Sequence, residues 1–297
     1  MIPPAELAQA VQELRRGGLV AFPTETVYGL GADASNPLAI RRIFAAKGRP
    51  ADHPLIVHLA RAEQLSDWAL PDARALLLAQ AFWPGPLTLI LPRRPGVLDE
   101  VTGGLDTVGV RVPDHPVAQA LLAAFGGGIA APSANRFGRV SPTTAAHVRQ
   151  ELGPELRILD GGPCRIGLES SIVDLSGPVA AILRPGAITA AQIEALIGPL
   201  GAPTGTAAPG TLPGHYAPHT ALLLSADPQA AAAAARARGQ RVAILPAGPA
   251  QAHAQQLYAE LRRLDALGVD LLIAEPSADP GLGAAVNDRL ARAAHRG

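Results

Sequence analysis

Cysteine is almost missing from this 297-residue sequence, in which Cys164 is the only one. A single cysteine forms no internal disulfide and offers no thiolate pair for a zinc site. Aromatic residues make up only 3% of the chain, and its hydrophobic runs are far too short to cross a bilayer. The first residues lack the charged start and apolar core of a signal peptide. These absences predict a cytoplasmic protein without a membrane anchor.

An excess of charge of either sign is also missing, because 25 Lys and Arg residues balance 25 Asp and Glu residues. Without a global basic field, broad electrostatic binding of nucleic acid is not expected, and any contact with tRNA would be local. Lysine itself is nearly absent: Lys47 is the single lysine, so 25 minus 1 leaves 24 arginines. This lysine indicates either a compact ammonium group that arginine does not replace or the chance survival of one surface residue.

Alternating apolar and helix-like segments predict an α/β protein with two domains. In the first part of the chain, several strand candidates are joined by less than a helix, which favours a twisted mixed sheet. Residues 201–219 are rich in Pro, Gly, Thr and Ala and predict a linker. Beyond it, strands alternate with helices as in a small Rossmann-like parallel sheet. We therefore predict a larger domain over residues 1–200 and a smaller one over 220–297.

The local pattern also predicts where individual elements lie. Helices are expected where a capping residue precedes a proline and a glycine follows, with Ser35 or Asn36, Asp114 and Ser141 as the caps. Strands are expected at the apolar runs 19–22, 55–59, 87–91, 107–112, 129–131, 171–175 and 180–183.

Three polar segments flank these elements: PTETVYGLG at 23–31, KGRPADHPLIVH at 47–58 and APSANRFGRVSPT at 131–143. Arg111 adds a cation in a strand of valines, where an arginine usually reaches an anion or a buried acid. Cations, hydroxyl and amide donors, and the N–H groups of helix starts together bind anions. We predict a site for a polyphosphate and a second, smaller anion such as a carboxylate. The residues concerned are Lys47, Arg49, Arg111, Ser133, Asn135 and Ser141.

Several other polar residues leave two interpretations open. The hydroxyls of Ser170 and Ser171 begin a strand and would hold a ligand carboxylate or bond the adjacent turn. Arg184 would be a further phosphate-binding cation or a solvated arginine. His58 ends a strand, where packing is more common than function. Tyr216 in the linker would take part in a site or merely pack on a domain.

Familiar catalytic motifs are missing. The sequence has no GxxxxGKS/T phosphate-binding loop, no GxSxG nucleophile elbow and no HExxH metal motif. GLGADA at 29–34 matches a loosened GxGxxA, but a polar stretch separates it from the preceding strand, which argues against dinucleotide binding. Nucleophilic catalysis and metal ligation by histidine are therefore poorly supported.

As a set, these segments resemble the threonylcarbamoyl-AMP synthase family of the YrdC type, in its long two-domain form. The matching stretches occur in the family's order and cover nearly the whole chain: PTETVYGLG, KGRP, HPLIVH, TVGVRVP, APSAN, ESSIVD and LRPGAI, then GHYAPH in the linker and GLGAAVNDRLARAA in the tail. The resemblance implies a YrdC-like first domain and a nucleotidyltransferase that forms threonylcarbamoyl-AMP and pyrophosphate from L-threonine, bicarbonate or CO₂, and ATP with Mg²⁺. The product would feed the tRNA threonylcarbamoyl-transferase machinery.

The resemblance also implies which residues contact each substrate. L-Threonine would be bound by Thr26, His58, Arg111, the backbone of Ala131 and Ser170. ATP would be bound by Lys47, Arg49, His53, Thr107, Ser133, Asn135, Ser141, Arg184 and Tyr216, with Lys47 and Arg49 as the catalytic residues. No protein side chain is expected to hold the Mg²⁺, and the linker with Tyr216 would close over the site as a lid.

Two positions depart from the family pattern. His53 stands where the family usually has asparagine, and Ser171 stands where it usually has threonine. Both replacements keep the capacity to form hydrogen bonds, so they bear on those two contacts rather than on the activity.

Two other functions are compatible with parts of the sequence. A module that binds double-stranded RNA or tRNA would use the same loops, but few aromatic residues and balanced charge argue against it. A carbamoyl-transfer protein of hydrogenase maturation has a related domain. Such proteins carry zinc-finger cysteines, and the single cysteine of this chain argues strongly against that function.

Overall fold

The computed structural model describes residues 2–203, 205–211 and 214–295, which form two β-sheets and their helices. Within these ranges the larger sheet has nine strands, all from the first domain. They are β1 (Val20–Phe22), β2 (Gly29–Asp33), β3 (Ile56–His58), β4 (Leu87–Pro92), β5 (Thr107–Arg111), β6 (Ile129–Ala130), β7 (Arg157–Ile158), β8 (Ser171–Asp174) and β9 (Ala181–Arg184).

The strands of the larger sheet lie in the order β7-β1-β2-β6-β3-β5-β4-β8-β9. Three neighbouring pairs are parallel, β1 with β7, β3 with β5 and β4 with β8, and the other neighbours are antiparallel. The mixed sheet expected from the short connections is therefore confirmed. All the predicted strands of this domain are present, and each end differs from its predicted position by at most one residue.

The sequence did not predict β2 or β7. Gly29 and Gly31 are weak strand formers, so the pattern indicated a loop. In the sheet, the missing side chain lets β2 approach its neighbours, because a Cβ at Gly31 would lie 2.8 Å from both Ile129 and the Phe22 ring. β7 has two residues and thus no alternation that a sequence pattern could reveal.

Eight helices of the described chain belong to the first domain, and a short 3₁₀ turn at Ala62–Gln64 precedes the third. None of the helices in the described ranges is long and apolar enough to span a membrane. The eight are α1 (Pro4–Arg15), α2 (Pro37–Lys47), α3 (Leu65–Trp68), α4 (Ala73–Phe82), α5 (Asp99–Thr102), α6 (Pro116–Phe125), α7 (Ala145–Leu152) and α8 (Ala190–Ile197).

Helix caps place two site segments. Asn36 caps α2, and Gly48 ends it in the left-handed conformation at φ 61, as predicted, so that Lys47 lies at the helix exit. The cap of α7 is Thr144 and not Ser141, because the Thr144 hydroxyl accepts from the His147 N–H. The Ser141 hydroxyl is therefore available for another partner. The predicted Asp114 cap of α6 is likewise replaced, by His115.

The second domain contains the small parallel sheet that was predicted, and its strand order is β10-β12-β11. A helix follows each strand, as the crossover connections between parallel strands require. The strands are β10 (Ala221–Leu224), β11 (Val242–Ile244) and β12 (Leu271–Ala274), and the helices are α9 (Pro228–Ala237), α10 (Ala250–Asp265) and α11 (Leu282–Ala294).

The two domains share one buried apolar cluster. Tyr258 and Leu290 of the second domain pack in it with Val27 and Leu168 of the first and with Tyr216 of the linker. Removing this apolar surface from water holds the domains against each other. His215 and Tyr216 of the linker are consequently buried rather than exposed on a free tether.

Candidate active site

A cavity lies where strand ends of the larger sheet meet the linker. β3 and β5 are parallel neighbours with His58 opposite Arg111, so their carboxyl ends place both side chains at one edge of the sheet. The cavity is lined by Thr24, Thr26, Val27, Gly29, Arg49, Ile56, His58, Arg111, Ala131, Pro132, Ser133, Glu169, Ser170, Arg184, Pro209, Gly210, His215 and Tyr216.

Most residues predicted from the sequence meet at this cavity, although they come from distant segments. Those that line it are Thr26, Arg49, His58, Arg111, Ala131, Ser133, Ser170, Arg184 and Tyr216. Five other predicted residues, all within the described chain, do not line it: Lys47, His53, Thr107, Asn135 and Ser141. Thr107 begins β5 and lies at the opposite end of that strand from Arg111. The assignment of these five to ATP stays a prediction.

Arg111 is held rigidly at the cavity wall. Its Nη2 donates to Glu25 Oε1 at 2.5 Å, and its Nη1 donates to Thr26 Oγ1 at 2.9 Å. Its Nε donates to the carbonyl of Gly85 at 3.1 Å. The lone arginine of an apolar strand therefore meets a buried acid, one of the two partners that the sequence predicted. Because Arg111 also lines the cavity, its guanidinium is positioned for an external anion.

His58 is a neutral imidazole beside this cation. Burial, and then the nearby positive charge of Arg111, lower the pKa of His58 to about 3. Its Nδ1 is buried and makes no hydrogen bond within the described residues. The ring packs edge-on against Phe22 at 6.0 Å between centroids. His58 thus combines packing with an unused nitrogen at a cavity-lining position.

Lys47 supports the loop that follows β6. Its Nζ donates to the carbonyl oxygens of Ser133 at 2.6 Å and Asn135 at 2.5 Å. The side chain is buried, and burial, followed by the charge of Arg49, lowers the Lys47 pKa well below its ordinary value. The interpretation of Lys47 as a chance surface residue is wrong, because the ammonium group fits between two carbonyl groups.

Arg49 lines the cavity directly and keeps unused hydrogen-bonding capacity. Its Nη2 donates to the carbonyl of Pro54 at 3.0 Å, and the guanidinium lies 5.9 Å from the centroid of Phe137. Its Nε is buried without a hydrogen-bond partner among the described residues. A buried donor without a partner is unusual, and an anion in the cavity would satisfy it.

The two serines at the start of β8 have different roles. Ser171 Oγ donates to the carbonyl of Ile188 at 2.6 Å and accepts from the Ile188 N–H at 3.1 Å, so it bonds the adjacent turn. Ser170 lines the cavity, and its Oγ exchanges a hydrogen bond with Thr88 Oγ1 at 2.8 Å. Arg184 Nη2 donates to the same Ser170 oxygen at 3.1 Å. Arg184 is buried, so its interpretation as a solvated arginine is wrong.

The linker contributes two aromatic side chains to the cavity. Tyr216 is only 1% exposed and adopts a left-handed φ of 61°, which is uncommon for a residue with a side chain. Its ring stacks on Tyr258 at 5.7 Å and meets the His215 ring edge-on at 4.2 Å. The sequence left open whether Tyr216 takes part in a site or packs on a domain. It does both, since it packs on the second domain and lines the cavity.

Glu169 joins the two domains beneath Tyr216. Its Oε1 accepts from Ser141 Oγ at 2.6 Å, and its Oε2 accepts from Tyr258 Oη and from Arg289 Nε, both at 2.8 Å. Burial raises the pKa of Glu169, but the charges of Arg289 and then Arg184 outweigh this and bring it to about 2. The buried carboxylate is therefore ionised at neutral pH.

Four residues at or behind the cavity wall were not predicted from the sequence: Glu25, Glu169, Tyr258 and Arg289. A signal existed for the last two, because both fall on the apolar face of an amphipathic helix. In α11, Arg289 lies among the buried residues Val286, Leu290 and Ala293. A charged residue on the buried face of a helix predicts a buried partner, but it does not identify the partner.

The buried histidines of the cavity are expected to make stability depend on pH. The pKa of His215 is lowered to about 3, mainly by burial, as is that of His58. Below the ordinary pKa of 6.5, the unfolded chain takes up protons that the folded chain does not. The free energy of unfolding should therefore have its full value above about pH 6.5. At pH 5 it should be lower by about 2 kcal/mol for each of these histidines.

Urea unfolding between pH 7 and pH 5 measures this effect. His58→Gln should reduce the pH-dependent loss by about 2 kcal/mol. A free energy of unfolding that stays constant across this range would contradict the prediction.

Comparisons with known proteins agree over both domains. The Sua5–YciO–YrdC family model, described as telomere recombination, matches residues 12–186. The model described as the threonylcarbamoyl-AMP synthase C-terminal domain matches residues 188–295. The threonylcarbamoyl-AMP synthase of Bacillus subtilis is 44% identical, over 97% of this chain and 93% of its own length. That of Pyrococcus abyssi is 42% identical, over 94% of this chain and 91% of its own.

A solved structure extends the match to three dimensions. The crystal structure of P. abyssi Sua5 complexed with L-threonine superposes with a TM-score of 0.93 at 40% identity. The alignment covers 99% of this chain and 95% of that chain, so it includes both domains. At this identity and coverage, the protein described here belongs to the threonylcarbamoyl-AMP synthase family.

Proposed function

We propose that this protein is an L-threonylcarbamoyladenylate synthase, an enzyme of the nucleotidyltransferase class. It forms threonylcarbamoyl-AMP and pyrophosphate from L-threonine, bicarbonate and ATP, for the threonylcarbamoyladenosine modification of tRNA. The observation that carries the proposal is a single cavity with two groups of anion-binding side chains, one around Arg111 and one around Arg49 and Arg184. The names of the relatives and the threonine complex of the P. abyssi structure support it.

The Arg111 side of the cavity suits the amino-acid substrate. A guanidinium fixed by Glu25 and Thr26 offers paired N–H groups to a carboxylate. The hydroxyl of Ser170 adds a further hydrogen bond. The neutral imidazole of His58 offers its unpartnered Nδ1 for a hydrogen bond with threonine. The threonine ammonium must lose a proton before its nitrogen reacts, and this proton passes to bicarbonate or solvent, since the lowered pKa of His58 makes it a weak base.

The reaction needs two anions to meet, and the cavity brings them together. The threonine nitrogen bonds to the carbon of CO₂, or of bicarbonate with loss of water, and gives a carbamate. A carbamate oxygen then attacks the α-phosphorus of ATP, while the bond to the bridging oxygen of pyrophosphate breaks. Binding both reactants in one place supplies the proximity that like-charged molecules lack in water.

The other side of the cavity suits the phosphates. Arg49 and Arg184 are buried cations that face the charge of the leaving pyrophosphate. The unpartnered Nε of Arg49 is available to a phosphate oxygen. A nearby polyphosphate would raise the pKa of Lys47 from its lowered value, because it favours the ammonium form.

The proposed reaction uses no covalent nucleophile and no metal cage from the described part of the chain. Burial raises the pKa of Cys164, which keeps it as a thiol. Within the described residues no group of three His, Cys, Asp or Glu could hold a metal ion. Glu169, which lines the cavity, and Glu25, which holds Arg111, are both paired with arginines. Mg²⁺ would accordingly enter as the complex with ATP, held by its phosphates.

The linker is proposed to shelter the intermediate. Carbamates and acyl-adenylates decay in water, so the reaction benefits from an enclosed site. His215 and Tyr216 cover the cavity from the linker side, and the linker would open and close as a lid. The product would pass to the tRNA threonylcarbamoyl-transferase machinery in the cytoplasm, with at most a local contact to tRNA.

Pyrophosphate release from ATP and Mg²⁺ by the purified protein tests the proposed function. Release is expected only when L-threonine and bicarbonate are both present, and omitting either should abolish it. Release that ignores threonine would contradict the proposal. In that case, salt-dependent retention of tRNA without ATP would favour the RNA-binding function instead.

A further inference from the structure

Helix α11 of the second domain places a charged side chain next to the cavity without lining it. Arg289 is completely buried, and its Nε donates to Glu169, a cavity-lining residue of the first domain. Its Nη1 donates to Asp288 at 2.6 Å on the same helix. The guanidinium carbon lies 5.3 Å from the centroid of the Tyr216 ring. One side chain therefore contacts both the acid and the aromatic ring of the cavity wall.

The remaining nitrogen of Arg289 is the second unusual feature. Its Nη2 is buried and has no hydrogen-bond partner among the described residues. A cation against the face of a tyrosine ring is attracted by the ring's negative face, which partly replaces the missing bond. The position of Tyr216 thus depends on the positive charge of Arg289 as well as on the shape of the Arg289 side chain.

Helix α11 also contacts the linker at two positions, Thr211 and His215. Arg292 Nη1 donates to the carbonyl of Thr211 at 2.6 Å. The carbonyl of Arg292 accepts from the His215 N–H at 3.4 Å. Together with Arg289 beneath Tyr216, these contacts fix the segment that contributes His215 and Tyr216 to the cavity.

Glu169 extends the effect of Arg289 into the first domain. It accepts from Ser141, the residue whose hydroxyl is not used as a helix cap. It also immediately precedes Ser170, which bonds Arg184 on the cavity wall. Among the described residues, removing Arg289 would leave this buried carboxylate with two hydroxyl partners, Ser141 and Tyr258, and without its ion-pair partner.

From these contacts we infer that Arg289 is a positioning residue for ATP use. It holds Tyr216 and Glu169 in the arrangement that completes the nucleotide side of the cavity. The inference rests on the proposed function and assigns the second domain a defined part in it. Arg289 acts through these two residues and not by touching the reacting atoms.

Replacement by methionine tests the inference in the full-length protein, because the two domains share one core. Arg289→Met should raise the KM for ATP about tenfold or more, since a smaller fraction of the enzyme has Tyr216 in place. The KM for L-threonine should change less than about twofold, because Arg111 is held by Glu25 independently of α11. Arg263→Met, which removes an exposed arginine paired with Glu260 on α10, is the matched control and should resemble the wild type.

Limited chymotrypsin digestion gives a readout that needs no turnover. Tyr216 is 1% exposed, so cleavage after it should be slow in the wild type and about tenfold faster in Arg289→Met. Cleavage after the fully buried Tyr28 of the first domain reports general unfolding and should not change. The Arg263→Met control should digest like the wild type.

A charge-neutral double variant separates the proposed role of Arg289 from a general loss of stability. Glu169→Gln with Arg289→Met removes the ion pair without leaving a buried charge, so it should unfold closer to the wild-type temperature than Arg289→Met alone. It should nevertheless keep the raised KM for ATP and the faster cleavage after Tyr216. Wild-type values for both measurements in the double variant would show that Arg289 is merely structural and overturn the inference. A wild-type enzyme that releases no pyrophosphate would instead contradict the proposed function.

Discussion

Replacing Lys47 with alanine is expected to slow pyrophosphate release by about 1,000-fold. Its ammonium group is buried between the carbonyl groups of Ser133 and Asn135, next to Arg49. Its loss removes a positive charge next to the proposed phosphate side of the cavity and leaves the carbonyl oxygens of Ser133 and Asn135 without this donor, at about 1–3 kcal/mol each. Steady-state release at saturating L-threonine and bicarbonate measures the effect.

Two further measurements separate the charge of Lys47 from its support of the loop. Arg41→Met removes an exposed basic residue from the same helix, α2, and should leave the rate unchanged. Added alkylammonium ions should partly restore release in Lys47→Ala if the positive charge itself is required. Lys47→Arg should not restore it, because a planar guanidinium does not fit a site built for a point charge. Normal rates in Lys47→Ala would contradict a role in the reaction.

Replacing Arg111 with methionine is expected to affect both stability and the use of threonine. Glu25 is 1% exposed and would keep a buried charge without its partner, which costs about 3–5 kcal/mol of unfolding free energy. The kcat/KM for L-threonine should fall about 100- to 1,000-fold, because the guanidinium is the proposed carboxylate ligand. Urea unfolding and pyrophosphate release measure the two effects separately.

The double variant Glu25→Gln with Arg111→Met distinguishes these roles. The double variant has no buried carboxylate that needs a positive partner, so it should recover most of the free energy of unfolding that Arg111→Met loses. Its use of threonine should stay as low as in Arg111→Met, because the anion-binding group is still missing. Arg165→Met, which removes an exposed arginine paired with Asp114, is the control and should behave as wild type. Threonine use that returns with stability would show that Arg111 only supports the fold.

Much of the fold could be predicted because its signals are local. Asn36, Pro37 and Gly48 start and end α2 through contacts within a few residues of themselves. The apolar runs that form β4 and β5 predict strands from their own residues, again without reference to distant parts of the chain. β2 escaped prediction because its glycines are explained only by side chains that folding brings close, Ala131 and Phe22 at Gly29, and Phe22 and Ile129 at Gly31.

The candidate site was only partly predictable. Thr26, Arg49, Arg111 and Ser170 stood out as polar groups at the ends of apolar segments, and the family resemblance assigned them to ligands. Thr107 was assigned by resemblance alone and does not line the cavity in this structure. Spacing along the chain does not show which end of a strand faces a site.

By itself, the sequence determined the α/β class, the two domains, the caps of several helices and the family to which the chain belongs. Only the tertiary structure decided that Glu25 neutralises Arg111 and that Glu169 meets Arg289 from the other domain. The physical reason is the range of the interactions. Helix caps and strand alternation depend on neighbours along the chain. A buried charge instead requires a partner within a few ångströms in space, and the packing of distant segments selects that partner.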